Sequence, residues 1–281
     1  MDKKSLLTRA SVGAVYIAII LLGVIGGRLP FLIVFGIVTG IGLFEFYRMV
    51  EKNTTHIISK VFNIVSGVLI FLSVFLFLQG ITAYALPIVI LLYLLTLFLC
   101  AVYIPRNDIF QVTVYAVFGQ IYVTMPLSLL MFVSYQFSYE LVGYYYAFIL
   151  ALFVFIWVND TGAYLVGTLF GKHRLNERIS PKKSVEGFIG GIVFTVLASF
   201  AFIRFVPVSP IDSNLFWAVF ALIVALFGTL GDMFESLIKR TYNVKDSGDI
   251  MPGHGGILDR IDSLLVAVPA VYLYLLIVFG A

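Results

Sequence analysis

The fold class that this sequence predicts is an all-α polytopic integral membrane protein with about nine transmembrane helices. Three observations carry it. The chain is 61% hydrophobic and 12% charged, with a mean hydropathy of +1.06, too apolar to clothe a soluble domain in polar side chains. Uncharged stretches run 10–27, 29–44, 61–105, 109–139, 141–159, 187–203, 213–231 and 263–281, and about 20 apolar residues suffice for one span. Finally, the basic residues alternate between the two sides those spans would define. With the N-terminus cytoplasmic, the inner side holds Lys3, Lys4, Arg9, Arg48, Lys52, Lys60, Arg106, Lys172, Arg174, Arg178, Lys182, Lys183, Lys239, Arg240, Lys245 and Arg260. Only Arg28 and Arg204 fall outside. Such a bias sets orientation and supports an odd count that leaves the C-terminus outside.

Each span has its own warrant. The first follows Lys3, Lys4 and Arg9 and resembles a signal peptide, but no small-residue cleavage site follows, so it reads as an uncleaved helix. Span two stops at Glu45. The stretch 61–105 is too long for one helix, and Gln79-Gly80 before Pro87 reverses it, giving spans three and four. Cys100, the only cysteine, lies late in span four as a packed thiol and excludes an intrachain disulfide. Span five is 109–139, and span six ends at Asp160, read as lying near the cytoplasmic edge. Spans seven to nine flank the two polar inner segments, 171–186 and 239–262. The whole chain, 1–281, reads as one membrane domain: 1–140 carries scaffold spans one to five, and 141–281 carries spans six to nine with the chemistry. No internal repeat is evident, which argues against a transporter.

Six of the 15 acidic residues fall between Asp232 and Asp262. Asp232, Glu235, Ser236 and Lys239 recur at i, i+3, i+4 and i+7, one polar stripe on an otherwise apolar helix. If Lys239 and Arg240 mark the interface, Asp232 lies about 10 Å deeper. A carboxylate there needs a metal ion, a water-filled cavity or a paired lysine. Gly253, Gly255 and Gly256 around His254 suit either a tight turn or a nest of N–H groups converging on an anion. Asp259, Arg260 and Asp262 then set two carboxylates one turn apart beside a guanidinium that can fork onto phosphate. Carboxylates beside phosphate suit Mg²⁺, with Asp232 and Asp259 the candidate pair. Lys182 and Lys183 read either as topology signals or as phosphate ligands alongside Asp160. Walker, H-E-x-x-H and G-x-S-x-G patterns are missing, which leaves P-loop, zinc-peptidase and serine-hydrolase chemistry without their signatures. The basic inner face suits anionic lipids and nucleotides, and no basic soluble module exists to grip nucleic acid.

The run SLIKRTYNVKDSGDIMPGHGGILDRID resembles the signature of the phosphatidate cytidylyltransferases, the CDP-diacylglycerol synthases. Ser236, Lys239, Arg240, Lys245, Asp246, Pro252, Gly253, His254, Gly255, Gly256, Asp259, Arg260 and Asp262 occupy that signature in order, with Met251 where Ile, Leu or Phe is usual. NDTGAYLVGTLFGKH and ISPKKSVEG also resemble the family. The resemblance implies that CTP and phosphatidic acid give CDP-diacylglycerol and pyrophosphate in phospholipid biosynthesis, in the plasma membrane, at a site facing the cytoplasm. It implies Mg²⁺ on Asp232 and Asp259, a second monovalent cation such as K⁺ with Asp262 close by, and a homodimer. Asp232, Asp259, Asp262, Lys239 and Arg260 would carry catalysis. Asp160, Lys182, Lys183, Ser236, Arg240, Lys245, Asp246, Gly253, His254, Gly255 and Gly256 would bind substrate. The alternatives are a transporter or flippase of an anionic lipid or nucleotide, and a CTP-dependent transferase acting on a different lipid phosphate.

Overall fold

The structure is a computed structural model that describes residues 3–51, 60–105, 107–135, 145–206, 211, 213–251, 253 and 255–280. The helices are α1 (Lys3–Ile25), α2 (Arg28–Val50), α3 (Lys60–Leu78), α4 (Ala85–Tyr103), α5 (Ile109–Gly119), α6 (Met125–Tyr135), α7 (Ala147–Phe170), α8 (Val185–Phe205), α9 (Asn214–Thr241) and α10 (Leu258–Phe279). A π-helical turn, Gln120–Thr124, joins α5 to α6 into one 27-residue rod. Between α7 and α8 sits a small antiparallel ribbon, β1 (Arg174–Asn176) and β2 (Ser180–Ser184). Among the described residues, eight helical rods are long and apolar enough to cross a bilayer, and Ala10–Ile25 within α1 is a shorter apolar stretch. The chain is therefore an all-α polytopic membrane protein.

The helices outrun the uncharged stretches from which the spans were read. Helix α7 does not stop with the uncharged stretch at Asp160 but continues ten residues to Phe170. The difference has a simple cause. Hydropathy reports what lipid tolerates, whereas a helix continues wherever its backbone bonds are satisfied, and a polar side chain facing a cavity does not interrupt them.

Contacts divide the chain into two compact units. The first comprises Met1–Met131 with Thr241–Arg260, and the second Phe132–Arg240 with Ile261–Ala281. In the first, α1 to α4 pack in sequence order. The outer side of α4 is left apolar, with Leu91, Leu95, Phe98 and Val102 each more than half exposed, a surface suited to lipid. Inside, the π turn releases a carbonyl from the regular ladder: Tyr47 Oη donates to Ala116 O at 2.7 Å. Gln120 Nε2 donates to Asn63 O at 2.8 Å, and Tyr93 Oη to Asn63 Oδ1 at 2.9 Å.

In the second unit, α7 and α8 approach almost backbone to backbone. A Cβ on Gly190 would lie 2.5 Å from Val166 Cβ, and one on Gly191 would lie 2.6 Å from Asn159 Oδ1. Gly190→Val is therefore expected to lose about 1–3 kcal/mol by overpacking. Thermal unfolding in detergent checks this, with the half-exposed Ile189→Val as a control that should leave the midpoint unchanged. At the start of α9, Phe155, Phe202, Trp217 and Phe220 interlock with ring centroids 5.2–6.0 Å apart. This aromatic knot anchors α9 about 22 Å before Asp232 at 1.5 Å per residue.

Candidate functional site

The second unit holds a cavity of about 390 Å³, within the usual range for small-molecule sites. Its polar wall is Asn159 and Asp160 from α7, Lys182 and Lys183 from β2, and Thr229 and Asp232 from α9. Strand alternation separates the two lysines: Lys182 is exposed, whereas Lys183 turns inward and pairs with Asp232 Oδ2. The ribbon that carries them is tied at both ends. Ser184 Oγ caps α8 by accepting from Gly187 N at 3.1 Å, and Glu186 accepts from Lys172 N at 3.0 Å and contacts His173 Nδ1 at 2.6 Å. Asn159 Nδ2 donates to Thr229 Oγ1 at 3.2 Å, bracing α7 against α9 beside the acids.

The stripe on α9 is real and internally paired. Ser236 Oγ reaches Asp232 Oδ1 at 3.4 Å, and Lys239 bonds the fully buried Glu235. Gly231 explains how the next helix comes close, since a Cβ there would lie 2.5 Å from Asp262 O. Asp262 is buried and accepts from Ser263 N at 2.6 Å; Asp232, Lys239 and Asp160 are the charges that act on it. The second unit thus gathers Asp160, Lys183, Asp232, Ser236, Lys239 and Asp262, with Lys182 on the rim and Arg240 exposed at the end of the stripe.

The first unit holds the rest of the signature. Asp259 Oδ2 accepts from Gly256 N at 2.8 Å and from both Ser247 N and Ser247 Oγ at 3.0 Å. Gly255 adopts φ 84°, a left-handed conformation suited to glycine, and a Cβ there would lie 2.6 Å from Asp259 Oδ2. Met251 and Gly255 bridge across the turn, Met251 N donating to Gly255 O at 3.0 Å. The glycine run is therefore a turn whose Gly256 amide faces a protein carboxylate. Lys245, Asp246, Gly253 and Arg260 are exposed or partly so around it. Pro252 and His254 lie outside the described residues.

Glu45 was missed by sequence reasoning. Its carboxylate, fully buried in α2, accepts from Ile257 N at 3.1 Å and from Leu258 N at 2.8 Å. The available signal was an acid inside an apolar helix, which marks a functional position by default; ending span two at Glu45 hid it. Asn159 and Thr229 gave no signal, since neutral polar residues in spans usually serve packing.

Among the described residues no group of three or more His, Cys, Asp or Glu stands ready as a metal cage. That does not count against Mg²⁺, which takes one or two protein carboxylates and completes its octahedron with water and substrate oxygens. Asp232, one of the two expected ligands, brings a hard oxygen donor to the cavity wall, and Asp259, the other, lies in the first unit held by its turn.

The chain is similar to curated proteins, one of them over nearly its whole length. A Bacillus subtilis (strain 168) protein named phosphatidate cytidylyltransferase is 34% identical over 274 residues, covering 97% of this chain and 98% of that protein. Proteins of the same name from Staphylococcus aureus (strain COL) and Staphylococcus haemolyticus (strain JCSC1435) are 44% and 46% identical over 147 and 132 residues. These two matches cover 51% and 46% of this chain, and 55% and 49%, about half, of those proteins. The family model described as the cytidylyltransferase family matches residues 7–278, spanning both the acidic stripe and the glycine turn, and the chain belongs to that family.

Proposed function

We propose that the protein is a phosphatidate cytidylyltransferase, converting CTP and phosphatidic acid to CDP-diacylglycerol and pyrophosphate. The observation that carries the reading is the cavity lined by Lys182, Lys183, Asp160 and Asp232, with Lys183 paired to Asp232. Cations line it for phosphate, and carboxylates for a divalent ion.

The chemistry asks little covalent work of the protein. A phosphate oxygen of phosphatidic acid forms a bond to the α-phosphorus of CTP, the bond from that phosphorus to the bridging oxygen breaks, and pyrophosphate leaves. No side-chain nucleophile is needed, so rate enhancement rests on orientation and on neutralising charge over the phosphates. Lys183, held against Asp232, is preorganised to exchange its carboxylate partner for phosphate oxygens, and Lys182 on the rim meets the incoming anion first. Lys239 is held by Glu235 beneath Asp262 and steadies that carboxylate. Arg240, Lys245 and Arg260 supply further positive charge. Asp232 and Asp259 would hold Mg²⁺, and the family resemblance implies a second, monovalent cation with Asp262 close by. When bound, Mg²⁺ would neutralise phosphate charge and polarise the centre under attack.

The reading includes a homodimer in the plasma membrane with the basic side cytoplasmic, where CTP arrives from solution and phosphatidic acid from the bilayer. It is tested by pyrophosphate release from detergent-purified protein, which should require CTP and phosphatidic acid together; release with CTP alone would overturn it. Lys182→Ala is expected to raise the KM for CTP or phosphatidic acid roughly five- to tenfold, equivalent to about 1–1.4 kcal/mol of binding. Steady-state kinetics check it, and unchanged KM values would return Lys182 to a purely topological role.

A further inference from the structure

We propose that Glu45 is a positioning residue for the signature turn, clamping Ser247, Ile257 and Leu258 from α2 so that Asp259 is presented in one fixed orientation. The activity readout below rests on the cytidylyltransferase reading; the exchange readout does not.

Glu45 lies more than 200 residues from the turn it holds. Its Oε1 accepts from Ile257 N at 3.1 Å, and its Oε2 accepts from Leu258 N at 2.8 Å and Ser247 Oγ at 3.2 Å. Leu258 is the first residue of α10, so the carboxylate sits on unsatisfied amides at a helix N-terminus, where the dipole favours negative charge. Its partners among the described residues are these three donors and no cation. A buried carboxylate is tolerated in that way only when donors saturate it. The site is also shaped around it, because a Cβ on Gly248 or Gly256 would collide with the Glu45 carboxylate.

The same turn carries Asp259, and one side chain links the two acids. Ser247 Oγ lies 3.2 Å from Glu45 Oε2 and 3.0 Å from Asp259 Oδ2, while Ser247 N and Gly256 N both donate to Asp259. Four backbone amides and one hydroxyl are thus divided between two carboxylates. The hydroxyl has a single proton and serves one acid at a time. Glu45 is 0% exposed and so cannot touch substrate. Its effect on the reaction must pass through the amides and Ser247 to Asp259.

Glu45→Gln in the full-length protein tests this. Glutamine keeps the shape but has one acceptor oxygen, and its NH₂ would face an amide N–H. The expected result is a fall in kcat on the order of 10–100-fold, the range seen when an outer partner of a functional carboxylate is removed. The KM values for CTP and phosphatidic acid should stay within about threefold, and amide hydrogen exchange across 255–260 should quicken at least roughly tenfold. Wild-type kcat and exchange would overturn the proposal. So would a lowered melting temperature with unchanged kcat per folded molecule, the mark of a merely structural acid. Should Glu45→Gln fail to insert, Gly248→Ala displaces the carboxylate without altering it and is judged by the same two readouts. If the wild type makes no CDP-diacylglycerol, the functional reading fails, and exchange alone decides the role of Glu45.

Discussion

Asp232→Asn is expected to abolish CTP-dependent formation of CDP-diacylglycerol, lowering kcat by roughly 1,000-fold or more while the protein still inserts and folds. The size follows from what the carboxylate does in the proposed reaction: electrostatic groups aimed at developing phosphate charge account for about 10²–10³ in rate each, and Asp232 both holds Lys183 and stands first among the proposed ligands of Mg²⁺. Asparagine preserves volume and can still meet Ser236, so packing on α9 should survive. It cannot balance Lys183 or attract a divalent cation. Product formation per mole of folded protein, with the thermal midpoint measured alongside, checks both halves. Full activity in this variant would remove Asp232 from the chemistry.

Asp259→Asn is expected to be as severe in turnover but different in kind. Asp259 Oδ2 accepts from two amides and the Ser247 hydroxyl, bonds that a charged carboxylate makes stronger than a neutral asparagine oxygen can. The turn should therefore loosen as activity is lost. Faster exchange at 247 and 256 should accompany a fall in kcat comparable with that of Asp232→Asn, whose turn should stay protected. Lost turnover with full protection would mean that Asp259 acts on substrate or metal alone, without organising the turn.

Much of this was legible in the sequence, for identifiable reasons. Apolar length reveals membrane spans because lipid imposes it directly. The stripe Asp232, Glu235, Ser236 and Lys239 was readable because helical spacing alone puts those residues on one face, and the structure pairs them along it. The limits were equally physical. Spans read from uncharged stretches stopped short at Asp160 and Glu45, because a charge facing a cavity or a helix N-terminus does not end a helix. The ribbon 174–184 has no apolar alternation to announce it; its order comes from Ser184 and Glu186 at the start of α8. Glu45 escaped because its partners are backbone amides more than 200 residues away. The glycine run left a turn and an anion nest equally open, and only coordinates could show the Gly256 amide turned toward Asp259.

The central claim is that the protein joins a cytidylyl group to a lipid phosphate. Purified protein incubated with α-labelled CTP, Mg²⁺ and a panel of lipid phosphates tests it most directly. Label should move into CDP-diacylglycerol when phosphatidic acid is present and be lost in Asp232→Asn. Label in another acceptor's product alone would redirect the enzyme to a different lipid phosphate, and no nucleotide-linked lipid from any acceptor would contradict the account.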